Sequence, residues 1–174
     1  GRTGTLWAFE QYGIVPDILL LAKGFGGGIP IGAFVSSKEI MNVFTHNPFL
    51  GHITTVGGHP VSCAAALASL RVLTSQREII GNVKRKGELF ASALQHEAIR
   101  EIRHTGLFMG VQVANFDFVR AVIRQCLEWG VLTDWFLFND SSIRIAPPLT
   151  ISDAEISKAS TILLDAIDKI YKQQ

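Results

Sequence analysis

The segment 17–30 constrains the fold most, because a short apolar run in it ends at a lysine and a cluster of glycines. The run at 17–22, Asp-Ile-Leu-Leu-Leu-Ala, is bounded by Pro16 and Gly24. A short, continuous apolar run between such breakers is typical of a strand that is buried on both faces. The segment therefore predicts a strand of a parallel sheet, and with it an α/β fold.

Lys23 is the candidate for chemistry in this segment, since it stands where the predicted strand meets the glycines. A lysine that is shielded from water can act as a nucleophile and form a Schiff base. Glycines beside it allow a bulky ligand to approach the backbone. The alternative is a lysine at a strand end whose ammonium reaches solvent. A phosphate loop is disfavoured, because its lysine follows the glycines and precedes Ser or Thr.

The remaining pattern predicts helices and strands in two groups. Before residue 98 it predicts a strand at 31–36 and helices at 37–44, 59–73 and 79–96. After residue 98 it predicts strands at 102, 107–113, 131–137 and 142–145, with helices at 115–129 and from 152 onward. Asn115 is the expected cap of one helix, and Ser152 with Glu155 forms a capping box for the last. An apolar stripe follows that box, formed by Ile156, Ala159, Leu163, Ala166, Ile167 and Ile170.

Composition excludes several classes of function. The chain has 174 residues and a net charge of +1, so it has no basic surface for nucleic acid. Its apolar runs are shorter than the roughly 20 residues of a membrane span. The spacing of Cys63 and Cys126 fits no metal motif, and both are expected to be buried free thiols in a reducing, cytoplasmic protein.

Four ordered motifs resemble class III aminotransferases, and the resemblance covers nearly the whole chain. They are the turn Gly-Arg-Thr-Gly at 1–4 with Trp-Ala-Phe-Glu at 7–10, the lysine segment 16–33, the segment 52–60, and Ile-Arg-Ile-Ala-Pro-Pro-Leu at 143–149. The chain departs from the family at Val56, where Phe is usual, and at His59, where Asn is usual. We interpret both departures as subfamily variation.

The resemblance implies the fold and the site. The fold would be that of the fold type I, aspartate aminotransferase-like enzymes that use pyridoxal 5'-phosphate (PLP). Residues 1–75 would end the large PLP-binding domain, 76–97 would be a connecting helix, and 98–174 would form the small C-terminal α+β domain. Lys23 would hold PLP as a Schiff base and act as the catalytic base and acid. Thr55 would bind the cofactor phosphate across a homodimer interface. Arg144 would bind a substrate carboxylate or pair with an acidic residue from a part of the protein outside this chain.

The implied activity is transfer of an amino group from an ornithine-like donor to a 2-oxo acid. A 4-aminobutyrate-type aminotransferase, or a related PLP mutase or decarboxylase, is the alternative within the family. Because the chain opens on a turn, and the family's acid for the pyridine nitrogen is expected upstream of Gly1, we expect a piece of a longer protein. Such a piece could also be a folded or dimerising module without activity. His52 and His59 flank Thr55, but their spacing in a loop is too unspecific for a metal site.

Overall fold

The computed structural model describes residues 1–173, which form two compact units. The lysine unit consists of residues 9–77, and the sheet-helix unit consists of residues 1–8 together with residues from 78 onward. Within residues 1–173, no helix has the length and apolar character needed to cross a membrane.

The lysine unit contains a two-stranded sheet, one long helix and several short helical segments. Its elements are a 3₁₀ helix at Ala8–Tyr12 (whose first residue belongs to the sheet-helix unit), β1 (Ile18–Leu21), a 3₁₀ helix at Lys23–Gly26, β2 (Ala33–Ser36), α1 (Lys38–Met41), a 3₁₀ helix at Asn42–Thr45, and α2 (Pro60–Ser75). Ser37 caps α1, since its Oγ accepts the Ile40 N–H at 3.2 Å. Pro60 occupies the first turn of α2, as predicted, where its missing N–H costs no helical hydrogen bond.

The prediction of a buried strand in a parallel sheet is wrong for β1. Its partner β2 runs antiparallel, with Ile18 opposite Ser36 and Leu21 opposite Ala33. The residues of β1 alternate between exposed and half-buried. The antiparallel pairing follows from the connection, because only eleven residues separate the two strands and a parallel crossover needs a dozen or more, usually with a helix.

The sheet-helix unit is a four-stranded antiparallel sheet with helices. Its elements are α3 (Arg77–Gly81, which begins at the last residue of the lysine unit), α4 (Val83–Ala93), β3 (Glu101–Thr105), β4 (Phe108–Gln112), α5 (Phe116–Glu128), β5 (Asp134–Phe136), β6 (Asn139–Ile145) and α6 (Asp153–Tyr171). The strand order is β3-β4-β6-β5, and each neighbouring pair is antiparallel. The helix predicted at 79–96 is divided at Asn82 into α3 and α4 and ends at Ala93.

Local capping signals place the starts of α5 and α6 where they were predicted. Asn115 Oδ1 accepts the Phe118 N–H at 2.9 Å. Ser152 Oγ accepts the Glu155 N–H at 3.2 Å, and Glu155 Oε2 accepts the Ser152 N–H at 2.7 Å. Each bond satisfies an N–H that the first helical turn leaves unpaired, so the predicted cap and capping box are confirmed.

A single hydrophobic core lies between the sheet and the helices of this unit. Its fully buried members come from every layer and include Val111, Phe118, Val122, Cys126, Ile143, Ile156 and Ile167. The predicted stripe of α6 faces this core, with Ile156, Leu163, Ala166 and Ile167 buried and the other two members half-buried. Side chains alternate along a strand, so the buried Ile143 and Ile145 direct Arg144 to the face of the sheet away from the helices.

The two cysteines differ in burial. Cys126 is buried on α5, as predicted, but Cys63 is exposed on α2, so its predicted burial is wrong. The buried residues of α2 are Ser62 and Ala66, which are four positions apart and share one face of the helix. Cys63 follows Ser62 in the helix, so its side chain points away from that face and lies on the exposed side of α2.

Candidate functional site

Lys23 lies directly beyond β1, at the first position of a 3₁₀ helix. Its φ is 55°, which places a non-glycine residue in the left-handed region. Such strained positions cluster at functional sites. Lys23 is exposed, so the predicted shielding from water is wrong, because β1 is itself half-exposed and gives it no cover. Among residues 1–173, its ammonium has no hydrogen-bond or ion-pair partner.

The glycines after Lys23 have two different functions. Gly27 has a φ of 61°, and a Cβ there would lie 2.6 Å from the Ala65 carbonyl oxygen, so this glycine allows α2 to pack on the turn. A Cβ at Gly24 or Gly28 would meet no atom within 4 Å. The backbone at Gly24 and Gly28 is therefore uncovered, whereas Gly26 between them is buried, and a Cβ there would lie 3.1 Å from Ile31 Cγ2.

Thr55 lies in an exposed turn of the lysine unit. Within residues 1–173 its hydroxyl forms no hydrogen bond, so it is available as a donor to an anion. His52 contacts the Phe44 ring edge-on, with centroids 6.3 Å apart. In this described part of the chain, no three His, Cys, Asp or Glu side chains are grouped as metal ligands.

Arg144 lies on β6 between Gly110 of β4 and Asp134 of β5. Its Nη2 donates to Asp134 Oδ2 at 2.8 Å, and both side chains are nearly half exposed. Because Ile143 and Ile145 are buried, the side chain of Arg144 points to the opposite face of the sheet. The resemblance implied an acidic partner from outside this chain, whereas the partner in the structure is Asp134, which the sequence did not single out. The signal that could have found it is the hairpin of β5 and β6, which pairs Asp134 with Arg144. That hairpin contains a register irregularity, which the sequence pattern does not reveal.

Arg2 is a second cation near Arg144 that sequence analysis assigned to no function. Its Nη1 donates to the carbonyl oxygens of Pro147 at 2.6 Å and Leu107 at 3.2 Å. The Leu107 N–H donates to the Arg2 carbonyl oxygen at 3.0 Å, so the backbone of Arg2 is held in place as well as its side chain. Burial lowers the pKa of Arg2, and the positive charge of Arg144 lowers it further. Its place in the Gly-Arg-Thr-Gly motif was the signal for a special residue.

The structure places the three predicted site residues in different units. Lys23 and Thr55 belong to the lysine unit, whereas Arg144 belongs to the sheet-helix unit. The lysine unit thus carries a free amine and a free hydroxyl, and the sheet-helix unit carries a guanidinium with an acidic partner. An amine can hold a carbonyl compound, a hydroxyl can donate to a phosphate, and a guanidinium can bind a carboxylate.

Comparison with known proteins identifies the class. The family model of the class-III aminotransferases matches residues 1–167, so this chain belongs to the class-III aminotransferase family. The α/β structure is part of the fold of the PLP-dependent transaminases, as the resemblance implied.

Individual relatives carry different names. The chain is 39% identical over 175 residues to an acetylornithine aminotransferase from Caldanaerobacter subterraneus, covering 98% of this chain and 42% of the relative. It is 37% identical to a putrescine aminotransferase from Pectobacterium atrosepticum, covering 98% of this chain and 37% of the relative. The chain therefore spans about two fifths of the length of the curated relatives it matches.

A solved structure gives the same class. The ornithine aminotransferase of Toxoplasma gondii superposes with a TM-score of 0.86 at 31% identity, covering 99% of this chain and 41% of that one. In that crystal structure PLP partially occupies the active site. In the present chain, the unpartnered Lys23 and the uncovered backbone at Gly24 and Gly28 fit such a cofactor.

Proposed function

We propose that the protein is a PLP-dependent aminotransferase and that this chain contributes its cofactor lysine, Lys23. The observation that carries the proposal is the conformation of Lys23: it has a left-handed φ and an unpartnered ammonium, next to backbone that no other atoms cover. The family match over residues 1–167 supports the same role.

In this proposal Lys23 Nζ holds the cofactor and, once released, takes up and returns a proton during transamination. PLP supplies an electron sink for the carbon that loses its proton. An amine on a flexible four-carbon stem can serve both as the covalent anchor and as a general base and acid. Thr55 Oγ1 would donate to the cofactor phosphate.

We further propose a homodimer in which Thr55 serves the cofactor of the other subunit. The segment around Thr55 exposes large apolar side chains, among them Phe49, Ile53 and Val56. Contiguous exposed apolar surface marks interaction sites, so burial against a second copy would stabilise this segment. The sedimentation behaviour of the full-length protein tests this assembly.

For the amino donor we propose an ornithine-like amino acid whose terminal amine passes to a 2-oxo acid. Arg144 would bind the donor carboxylate, since a guanidinium can form two parallel hydrogen bonds with it. The acetylornithine and ornithine aminotransferases among the relatives support this donor. The putrescine aminotransferase supports a diamine as the second candidate.

We also propose a division of the chain into domains and a cytoplasmic location for the protein. We propose that residues 1–75 form the last part of the large domain, that 76–97 form a connecting helix, and that 98–174 form the small domain. The beginning of the second compact unit at residue 78 supports a division in this region. Two cysteines without a disulfide, Cys63 and Cys126, support a reducing cytoplasmic setting.

Chemical trapping tests the role of Lys23. The full-length enzyme is reduced with borohydride, digested, and mapped by mass spectrometry. We expect a pyridoxyl group on Lys23 and none on Lys38, a nearby exposed lysine that serves as the internal control. A pyridoxyl group on Lys38 or on any other lysine would refute the assignment.

A further inference from the structure

The hydrogen-bond ladder between β4 and β6 is interrupted at one end by Pro147. Beside the other end, the Val113 N–H donates to the Ser141 carbonyl oxygen at 2.9 Å. Hydrogen-bonded pairs recur at every second residue of an antiparallel ladder, so the continued register makes Leu107 and Pro147 the last such pair. That pair cannot form in the usual way, because a proline has no N–H to donate.

Arg2 provides the partners that this pair lacks. The Leu107 N–H donates to the Arg2 carbonyl oxygen at 3.0 Å. Arg2 Nη1 donates to the Leu107 carbonyl oxygen at 3.2 Å and to the Pro147 carbonyl oxygen at 2.6 Å. One residue therefore satisfies three backbone groups that the proline leaves without ladder partners, and it joins the beginning of β4 to the segment that follows β6.

The turn before β4 allows Arg2 to approach this closely. Gly106 has a φ of 58°, in the left-handed region. A Cβ at Gly106 would lie 2.8 Å from the Arg2 carbonyl oxygen and 2.6 Å from Val83 Cγ1, so a glycine is needed there. Leu107 is 1% exposed, so its backbone groups have little access to water if Arg2 is removed. Buried backbone groups without partners cost free energy, which makes Arg2 hard to replace.

This junction lies beside the candidate donor site. Pro147 follows Arg144 by three residues. The positive charge of Arg144 lowers the pKa of Arg2, which means that the two guanidinium groups are close enough to interact. The side chain of Arg144 is 43% exposed, so the backbone of β6, rather than packing around the side chain, determines where its guanidinium lies. A displacement of about 1 Å at such a group can cost about a hundredfold in rate.

We infer that Arg2 is a positioning residue for the donor site: by closing the end of the β4–β6 ladder, it holds the strand that carries Arg144 where a donor carboxylate meets the guanidinium. The inference rests on the proposed role of Arg144. Arg2 acts through the backbone of β6 and does not itself contact the donor.

Ornithine and putrescine are matched probes, because putrescine is ornithine without its carboxylate. In the full-length, PLP-loaded enzyme, with rates expressed per bound PLP, we expect Arg2→Met to lower kcat/KM for ornithine about tenfold, mainly through a higher KM. The value for putrescine should fall less than about twofold. Arg2→Lys keeps the charge and an N–H donor, so it should be closer to wild type in stability and show a smaller loss in the same direction. It replaces Arg2→Met if that variant does not fold.

Two further variants control for charge and for general loss of stability. Gly106→Ala displaces the Arg2 carbonyl oxygen and keeps the guanidinium, so it should lower the ratio of ornithine to putrescine kcat/KM as Arg2→Met does. Arg85→Met is the matched control, because Arg85 also joins distant segments, through two hydrogen bonds to Asp153 at 2.9 Å each. It should leave the ratio unchanged.

An unchanged ratio in Arg2→Met, or an equal loss for both donors, would overturn the inference. So would a normal ratio in Gly106→Ala beside a low one in Arg2→Met, because Arg2 would then act through its charge. Arg144→Lys in the same assay tests the underlying proposal. If it leaves the ratio unchanged, the proposed role of Arg144 fails, and the inference with it. If it impairs only ornithine while Arg2→Met does not, the role of Arg144 survives and the inference about Arg2 alone is wrong.

A binding measurement does not depend on turnover. Glutarate has two carboxylates and no amine, so calorimetric titration of the enzyme with glutarate measures the strength of the anion site. We expect Arg2→Met to raise its Kd about fivefold, because the guanidinium of Arg144 is no longer held in place before binding. Arg85→Met should leave the Kd unchanged. An unchanged Kd in Arg2→Met would contradict the positioning role, whatever the enzyme's activity.

Discussion

The lysine unit and the sheet-helix unit differ in how much apolar surface they bury. Every buried hydrophobic residue in the described chain except Ala66 lies at or after Val83, within the sheet-helix unit. The lysine unit instead leaves large apolar side chains such as Leu20, Val35 and Phe49 exposed. The unit with the candidate donor arginine therefore has a core of its own. The unit with the candidate cofactor lysine buries little apolar surface of its own.

The largest expected effect concerns the core of the sheet-helix unit. Phe118 is 2% exposed, and Phe118→Ala should destabilise the full-length protein by about 3–5 kcal/mol through lost burial and a cavity. The matched change in the lysine unit is Phe49→Ala, at 80% exposure in this chain. It should cost less than about 0.5 kcal/mol in a monomer, and more than that in the proposed homodimer, which would bury Phe49. Urea denaturation measures both. A large loss for Phe49→Ala would show that the intact protein covers this residue.

The two units also differ in the reactivity of their cysteines, Cys63 in the lysine unit and Cys126 in the sheet-helix unit. Burial raises the pKa of the Cys126 thiol to about 11 from an ordinary 9.0, which lowers its thiolate fraction about a hundredfold at pH 8. Cys63 is exposed, so a disulfide reagent should label it first, and Cys126 only after unfolding. Peptide mapping after timed labelling separates the two. Protection of Cys63 in the native enzyme would indicate a covered α2.

In the lysine unit, Thr55→Val should weaken cofactor retention and leave the fold intact. The hydroxyl has no partner within residues 1–173, so its loss costs no internal hydrogen bond. The lost bond to a charged phosphate is worth about 1.5–3 kcal/mol. Equilibrium dialysis of PLP against wild type and variant measures this loss, and unchanged affinity would remove Thr55 from the phosphate site.

In the sheet-helix unit, Arg144→Lys should keep the melting temperature close to wild type, because this side chain lies on the face of the sheet away from the core. A lysine cannot reproduce the two parallel bonds of a guanidinium. We expect kcat/KM for ornithine to fall by about tenfold or more, equivalent to roughly 1.4 kcal/mol. Steady-state kinetics decides the matter, and wild-type kcat/KM would exclude Arg144 from donor binding.

The comparison also separates what sequence could predict from what it could not. The caps at Asn115 and Ser152, and the apolar stripe of α6, were predicted correctly because those signals are local. The pairing and burial of β1 were predicted wrongly, since both depend on distant parts of the chain. Resemblance singled out Lys23, Thr55 and Arg144. To predict Asp134 as the partner of Arg144, one would need the register of the β5–β6 hairpin. The alternation of apolar and polar residues does not determine that register.

Three carboxylates at the ends of α6 make the stability of this helix dependent on pH. The Arg85 hydrogen bond lowers the pKa of Asp153, the Ser152 N–H lowers that of Glu155, and Lys172 lowers that of Asp168. Groups with depressed folded pKa values stabilise the native state at neutral pH. That contribution is lost as the pH falls from the ordinary values of 3.8 and 4.5 toward the lower folded ones. Both ends of α6 therefore lose carboxylate hydrogen bonds and ion pairs over the same acidic range of pH.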